Sequence, residues 1–302
     1  MGNKNSKKLK NKRGEGGGAR VPKFQHDKRL GQNFLTDMET VYAIADGSGI
    51  GPDTLVIEIG PGEGVLTEAL AEKAGHVTAI ELDERLIPIL RVKLYNKENV
   101  DIIHGDILET DLNVLIPELL ARYELSEARI VGNLPYYITT PIIMKLLEER
   151  TPVTSITVMV QKEVGDRLAA APGEKNTGAI TYTVHYYSSV SEICDVDKSC
   201  FDPVPKVDSV VIRLDIRDEA PVKPKDPEKM FMLIKYGFMM RRKTLLNSLA
   251  AIPAYDKDAV ARGLEAAGID ANRRAESLTL SEFAALSDVL ATTPTGSSLP
   301  LS

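Results

Sequence analysis

The sequence predicts an α/β fold: a mostly parallel sheet covered by helices on both faces, followed by a small all-helical module. Two observations carry this. Between residues 55 and 160, short β-branched runs alternate with stretches whose apolar residues recur at helical spacing. Such alternation builds βαβ units with parallel strands. The alternation stops at Ile216, and beyond a proline-broken segment only helical signals remain.

In chain order, residues 55–59 form a strand that ends in glycines, and residues 65–74 a helix. Residues 76–82 repeat the strand pattern, and Asp83 caps a helix through about Leu94 with Pro88 in its early part. Further strands are expected at 100–104, 129–132 and 156–160, with helices at 111–121 and 140–150 between them. Residues 180–187 and 207–216 are the last strand candidates, joined through Pro203 and Pro205. Residues 217–228 (RDEAPVKPKDPE) read as a linker. Helices then follow at 230–238, 244–251, 256–267 ending at Gly268, and 280–290 behind Thr279 and Ser281. The expected organisation is a tail over 1–22, an α/β domain over 23–216, the linker, and a helical domain over 229–302. No internal repeat is visible.

The chain has 302 residues, 26% charged and 43% hydrophobic, which excludes collagen and wholesale disorder. Its size supports a core without disulfides. Cys194 and Cys200 are too few for a stapled scaffold or a four-cysteine zinc site, and no histidine stands at zinc spacing, so no metal is expected. A reducing, cytoplasmic setting follows, and no stretch approaches the roughly 20 apolar residues of a membrane span. The histidines His76, His104 and His185 fall within strand patterns and read as core or sheet-edge residues. The net charge of −6 is unevenly placed: residues 1–30 carry +8, leaving −14 on the rest. The glycine-rich, basic start predicts a mobile tail that either solubilises the protein or tethers it to RNA. Met1 to Ser6 also fit the short N-myristoylation pattern, which matches easily by chance.

The first strand runs into Gly60-Pro61-Gly62-Glu63-Gly64, a strand-to-helix turn of the kind that binds nucleotides in open α/β sheets. A dinucleotide fingerprint, G-x-G-x-x-G, would need glycine where Val65 stands, and Glu58 and Glu63 add negative charge that repels phosphate. Carboxylates there suit a cofactor with a sulfonium and an amino group, S-adenosylmethionine; by itself the loop leaves a dinucleotide site or a plain turn open. Two acids strengthen the reading. Glu81, closing the second strand, can accept both hydroxyls of a ribose, and Asp106, after the third, can reach an adenine amino group. Each could instead cap a helix or face solvent.

At the end of the fourth strand, Asn133-Leu134-Pro135-Tyr136 resembles the (N/D)-(P/L/I)-P-(Y/F) motif of methyltransferases that modify exocyclic amino groups. An adenine N6 lone pair is conjugated into the ring. Two acceptors, the Asn133 side-chain oxygen and the Leu134 carbonyl in such motifs, bond the amino protons and aim the lone pair at the methyl group. Tyr136 offers the base a stacking face, and the base must leave its helix to reach it.

With these residues in view, residues 29–291 resemble the bacterial small-subunit ribosomal RNA adenine N6,N6-dimethyltransferases. The likeness runs through Gly31 to Leu35, Glu58 to Gly64, Ile80 to Asp83, Asn133 to Tyr136, Gln161 to Val164, Arg167-Leu168, Phe201 to Ser209 and Arg241 to Leu249. It implies a Rossmann-like, seven-stranded class I methyltransferase domain. It also implies S-adenosylmethionine contacts at Asn33, Leu35, Gly60, Gly62, Glu81, Asp106 and Asn133, and a target adenine flanked by Tyr136 and Phe201. The family dimethylates two adjacent adenines in a hairpin near the 3′ end of 16S rRNA during small-subunit maturation. A monomer acting on the immature 30S particle is therefore expected. Tyr137 and Thr139 stand where many relatives have Asn and Ser.

Arg241, Arg242, Lys243, Arg273 and Arg274 give the acidic body local positive charge for RNA, although a solvated helix face would look the same. Asp208 and Ser209 read as structural. Two rivals remain: a macrolide-resistance type 23S rRNA methyltransferase, and a non-catalytic factor that binds nucleic acid or assists ribosome assembly. The segments from Phe201 and Arg241 favour the small-subunit enzymes over the first, and the intact Asn133 motif disfavours the second.

Overall fold

The computed structural model of the protein describes residues 33–290. The expected tail and the acylation pattern lie outside them. A short strand β1 (Phe34–Leu35) leads into helix α1 (Met38–Gly47), capped by the Asp37 carboxylate, which accepts from the Thr40 amide at 2.8 Å. Then come β2 (Thr54–Ile59), α2 (Val65–Ala71), β3 (His76–Glu81), α3 (Ile87–Lys93), β4 (Val100–His104), α4 (Leu112–Tyr123), β5 (Glu127–Asn133), α5 (Thr139–Glu148) and β6 (Ser155–Gln161). The predicted α/β alternation is present throughout this stretch. Helix α3 starts later than expected, because Asp83 is not its cap: its carboxylate binds the Arg85 amide and guanidinium.

The second half departs further. After α6 (Lys162–Ala169), residues 180–187, read as a strand, belong to helix α7 (Ala179–Tyr187), which carries His185. The real strand is the next segment, β7 (Ser188–Val196), followed by β8 (Phe201–Asp202) and β9 (Ser209–Ile216). The seven-stranded sheet has the order β4-β3-β2-β5-β6-β9-β7, in which β9 alone runs antiparallel to the other six strands, while β1 and β8 pair separately. Strand order reverses between β2 and β5, so a crevice opens at their carboxyl ends.

Alternate residues of the buried strands feed two cores. Leu55 and Ile57 pack with Ile116, Ile143 and Leu168 on one face; Val56 and Val77 pack with Val41, Ile44 and Leu70 on the other. The helical module comprises α8 (Pro227–Met239), α9 (Leu245–Leu249), α10 (Lys257–Ala266) and α11 (Leu280–Val289). The cap of α11 pairs Thr279 with Glu282, not Ser281.

Helix α7 serves both bodies. Ile180 and Val184 join the sheet core, whereas Tyr182 and Tyr186 join the core of the module. The Tyr182 hydroxyl donates to the Ala275 and Leu278 carbonyls at 3.2 and 2.6 Å, and burial pushes its pKa to about 12. Among the described residues, no helix is long and apolar enough to cross a membrane.

Candidate active site

The switch-point crevice is a cleft of about 1100 Å³, open mouth included. Its floor is the glycine turn. Gly60, Gly62 and Gly64 adopt φ of 68°, 59° and 77°, a region that disfavours side chains. A Cβ at Gly62 would also lie 2.8 Å from the Phe34 ring. On the other side of the switch point, Gly132 lets β5 approach β2: a Cβ there would sit 2.8 Å from the Ile59 carbonyl oxygen.

The acids line the same cleft. Glu81 is 6% exposed and braces the turn, its Oε2 accepting from the Gly62 amide at 3.1 Å and its Oε1 from the Asp83 amide at 2.8 Å. Burial raises its pKa against those two hydrogen bonds. Each oxygen keeps a second lone pair for a hydroxyl. Asp106 uses Oδ1 for the Leu108 amide at 2.8 Å, a local turn of the kind also open from sequence.

Glu58 corrects the sequence reading. Its side chain is 1% exposed, and Oε2 has no hydrogen-bond partner. Desolvation is the main force pushing its pKa up to about 8; the Thr67 hydroxyl opposes this and the Glu81 carboxylate adds to it. At neutral pH Glu58 is therefore mostly protonated and adds little negative charge to the cleft.

The Asn133-Leu134-Pro135-Tyr136 loop forms the remaining wall with Ile138 and the exposed Tyr137. Asn133 donates from Nδ2 to the Asn33 carbonyl at 3.1 Å, which fixes which end of the amide is which. The Leu134 amide donates to the Met159 carbonyl at 3.3 Å, and the Pro135 carbonyl accepts from the Ile138 amide and the Thr139 hydroxyl. Tyr136 is half-buried, with its hydroxyl 2.9 Å from the Ser209 hydroxyl. Burial raises the phenol pKa, so it stays protonated.

The structure thus brings together Asn33, Leu35, Gly60, Gly62, Glu81, Asp106, Asn133, Leu134, Pro135 and Tyr136. Phe201 is elsewhere: it is 2% exposed, pairs with Leu35 across the two-stranded sheet, and lies in the core behind the cleft wall. Ser209, read as structural, touches the site through Tyr136. Arg241, Arg242 and Lys243 form an exposed turn between α8 and α9, and Arg274 is exposed. Arg273 is committed internally, to the Glu282 carboxylate and the Ser277 carbonyl. No cluster of potential metal ligands occurs among the described residues.

The cleft fits S-adenosylmethionine. Its lining contains four carboxyl groups and no Lys or Arg, a poor setting for a pyrophosphate and a good one for a cation. Ile80, Leu86, Ile107 and Leu134 supply apolar walls for a purine ring. An open sheet with this crevice, acidic and glycine-floored, with the Asn133-Leu134-Pro135-Tyr136 loop at its rim, places the protein among the S-adenosylmethionine-dependent methyltransferases.

Comparison with known proteins narrows that class. The family model for ribosomal RNA adenine dimethylase matches residues 23–292, and the chain belongs to this family. It is 49% identical over 270 residues to ribosomal RNA small subunit methyltransferase A of Geobacillus thermodenitrificans, covering 88% of this chain and 92% of that protein. The same-named protein of Clostridium acetobutylicum is 48% identical over 265 residues, covering 88% and 94%. Among solved structures, a dimethyladenosine transferase from Plasmodium falciparum superposes with a TM-score of 0.68 at 25% identity, covering 84% of this chain and 95% of that one. The 23S rRNA methyltransferase ErmE does so with 0.64 at 29% identity, covering 85% and 99%.

Proposed function

We propose that the protein dimethylates N6 of two adjacent adenines in the hairpin near the 3′ end of 16S rRNA, acting as a monomer on the immature 30S particle. The observation that carries the chemistry is the Asn133 loop at the rim of an acidic, glycine-floored cleft. Relatives at 48–49% identity are small-subunit enzymes, which favours 16S over the 23S target of ErmE.

S-adenosylmethionine, when bound, supplies a methyl group made electrophilic by its sulfonium. Glu81 receives the ribose hydroxyls, Asp106 the adenine amino group, and Asn33, Leu35, Gly60 and Gly62 the rest of the cofactor. Because Nδ2 of Asn133 is spent on Asn33, its Oδ1 accepts one proton of the target amino group, and the Leu134 carbonyl accepts the other. These contacts orient the lone pair and stabilise the positive charge that develops on N6. Proton loss to water completes each transfer, so no strong base is needed. Tyr136 stacks on the base; Phe201 supports the wall through Leu35.

The basic turn of the module lies beside the entry to helix α7. Helix α7 ends at Tyr187, and the next residue, Ser188, pairs with Ile216 at the amino-terminal end of the parallel strands. Helix α8 runs antiparallel to it, Phe231 against Tyr186 and Phe238 against Tyr182. Arg241 to Lys243 therefore emerge beside the start of α7, where Arg241 lies 3.5 Å from the Thr177 carbonyl. We assign rRNA phosphate contacts to Arg241, Arg242, Lys243 and Arg274. Labelled methyl transfer to 30S particles lacking the modification tests the function, and the absence of transfer contradicts it.

A further inference from the structure

We infer that Ser209 is a positioning residue for methyl transfer: its hydroxyl holds the Tyr136 side chain in the one direction that receives the target base. This rests on the reading of Tyr136 as the stacking face.

Tyr136 belongs to a loop whose backbone is fixed by the Leu134 amide on Met159 and the Ile138 amide on Pro135. Beyond its Cβ, the ring needs a handle at the far end, and the hydroxyl is the only polar atom there. Ser209 supplies a rigid partner. It is fully buried at the start of β9, and it pairs with Gln161 of β6 on one side and Val196 of β7 on the other. Its neighbour Asp208 adds two more ties, its carbonyl accepting from the Lys162 amide and its carboxylate from the Lys198 amide. The anchor is thus held by both adjacent strands.

Other buried hydroxyls of the sheet make a useful contrast. Those of Thr78, Ser155 and Thr157 have no partner, whereas that of Ser209 meets Tyr136 at 2.9 Å. The hydroxyl lies on the axis of ring rotation, so the bond fixes where the ring points without locking its plane. A ring pointing elsewhere would leave the base without its face, however well the cofactor is held.

The test uses the full-length protein and the variants Ser209→Ala, Ser209→Thr, Tyr136→Phe and Ser209→Ala/Tyr136→Phe. Methyl transfer to 30S particles lacking the modification, S-adenosylhomocysteine affinity by calorimetry, and thermal unfolding are measured for each. Ser209→Ala and Tyr136→Phe should each lower kcat by about fivefold, the scale of one hydrogen bond. Cofactor-product affinity should be unchanged, the double variant no worse than either single one, and Ser209→Thr close to wild type. Additive losses in the double variant, or full activity in Ser209→Ala, would overturn the proposal. Three-bond NMR couplings of Tyr136 separate this from the substrate reading. One χ1 rotamer in wild type that becomes averaged in Ser209→Ala, without any transfer to the particles, sinks only the substrate reading; equal averaging in both proteins sinks the positioning role.

Discussion

The side-chain amide of Asn133 donates to the backbone carbonyl of Asn33, 3.1 Å away and 100 residues earlier in the chain. The bond ties the rim of the cleft to the segment before α1 and settles the orientation of the amide. Only nitrogen can donate to a carbonyl, so Oδ1 is the end left to accept from a substrate. Asn133→Ala should therefore lower single-turnover methyl transfer by about 100-fold or more, the usual scale for a lost transition-state contact, with little change in melting temperature.

Glu81 has a double duty, holding the Gly62 and Asp83 amides while facing the cleft. Glu81→Ala leaves both amides without an acceptor and removes the carboxylate proposed to hold the ribose. Calorimetry should show at least about a tenfold loss of S-adenosylmethionine affinity. Glu81→Gln should lose less, since its amide oxygen can still accept.

Glu58 gives the apoprotein a pH dependence. Its folded pKa of about 8 lies above the ordinary carboxylate value, so the folded state holds a proton that the unfolded chain releases. That stabilisation is complete below the unfolded pKa of 4.5 and fades as pH rises toward 8, by at most about 1.4 kcal/mol per unit. Denaturant melts of the apoprotein between pH 5 and 9 should show Glu58→Gln overtaking wild type as pH rises. A constant difference across that range would contradict the burial argument.

Much of this was legible in the sequence, for physical reasons that also explain the misses. Parallel strands buried on both faces, such as Leu55 to Ile59, read as β-branched runs ended by glycine, so the sheet ends and their acids could be placed. The same rule misread residues 180–187. Helix α7 is apolar on most sides because it lies between two cores, and continuous burial erases its helical period. Strand β7 was missed because Ser-Ser-Val-Ser-Glu, on a sheet edge, has little apolar signal. The burial of Phe201 and of Glu58 was not legible, because it depends on what packs over them. Ser209 carried no signal, since a lone serine says nothing of its partner 73 residues away.

The turn after α8 should act through charge. Replacing Arg241, Arg242 and Lys243 with alanine should weaken binding to 30S particles at low salt and reduce the salt slope by roughly 0.7–0.9 per lost phosphate contact. S-adenosylmethionine affinity should not move. An unchanged salt slope would remove this turn from the RNA interface.

Delivery of methyl groups from this cleft to adenine N6 in small-subunit RNA can be tested directly. The most direct test incubates the protein with labelled S-adenosylmethionine and 30S particles lacking the modification, then maps the label by nuclease digestion and mass spectrometry. N6,N6-dimethyladenine is expected at two adjacent positions of the 3′ hairpin, and none with Asn133→Ala. Label confined to 23S rRNA when 50S particles are offered as well, or no label in either RNA, would contradict it.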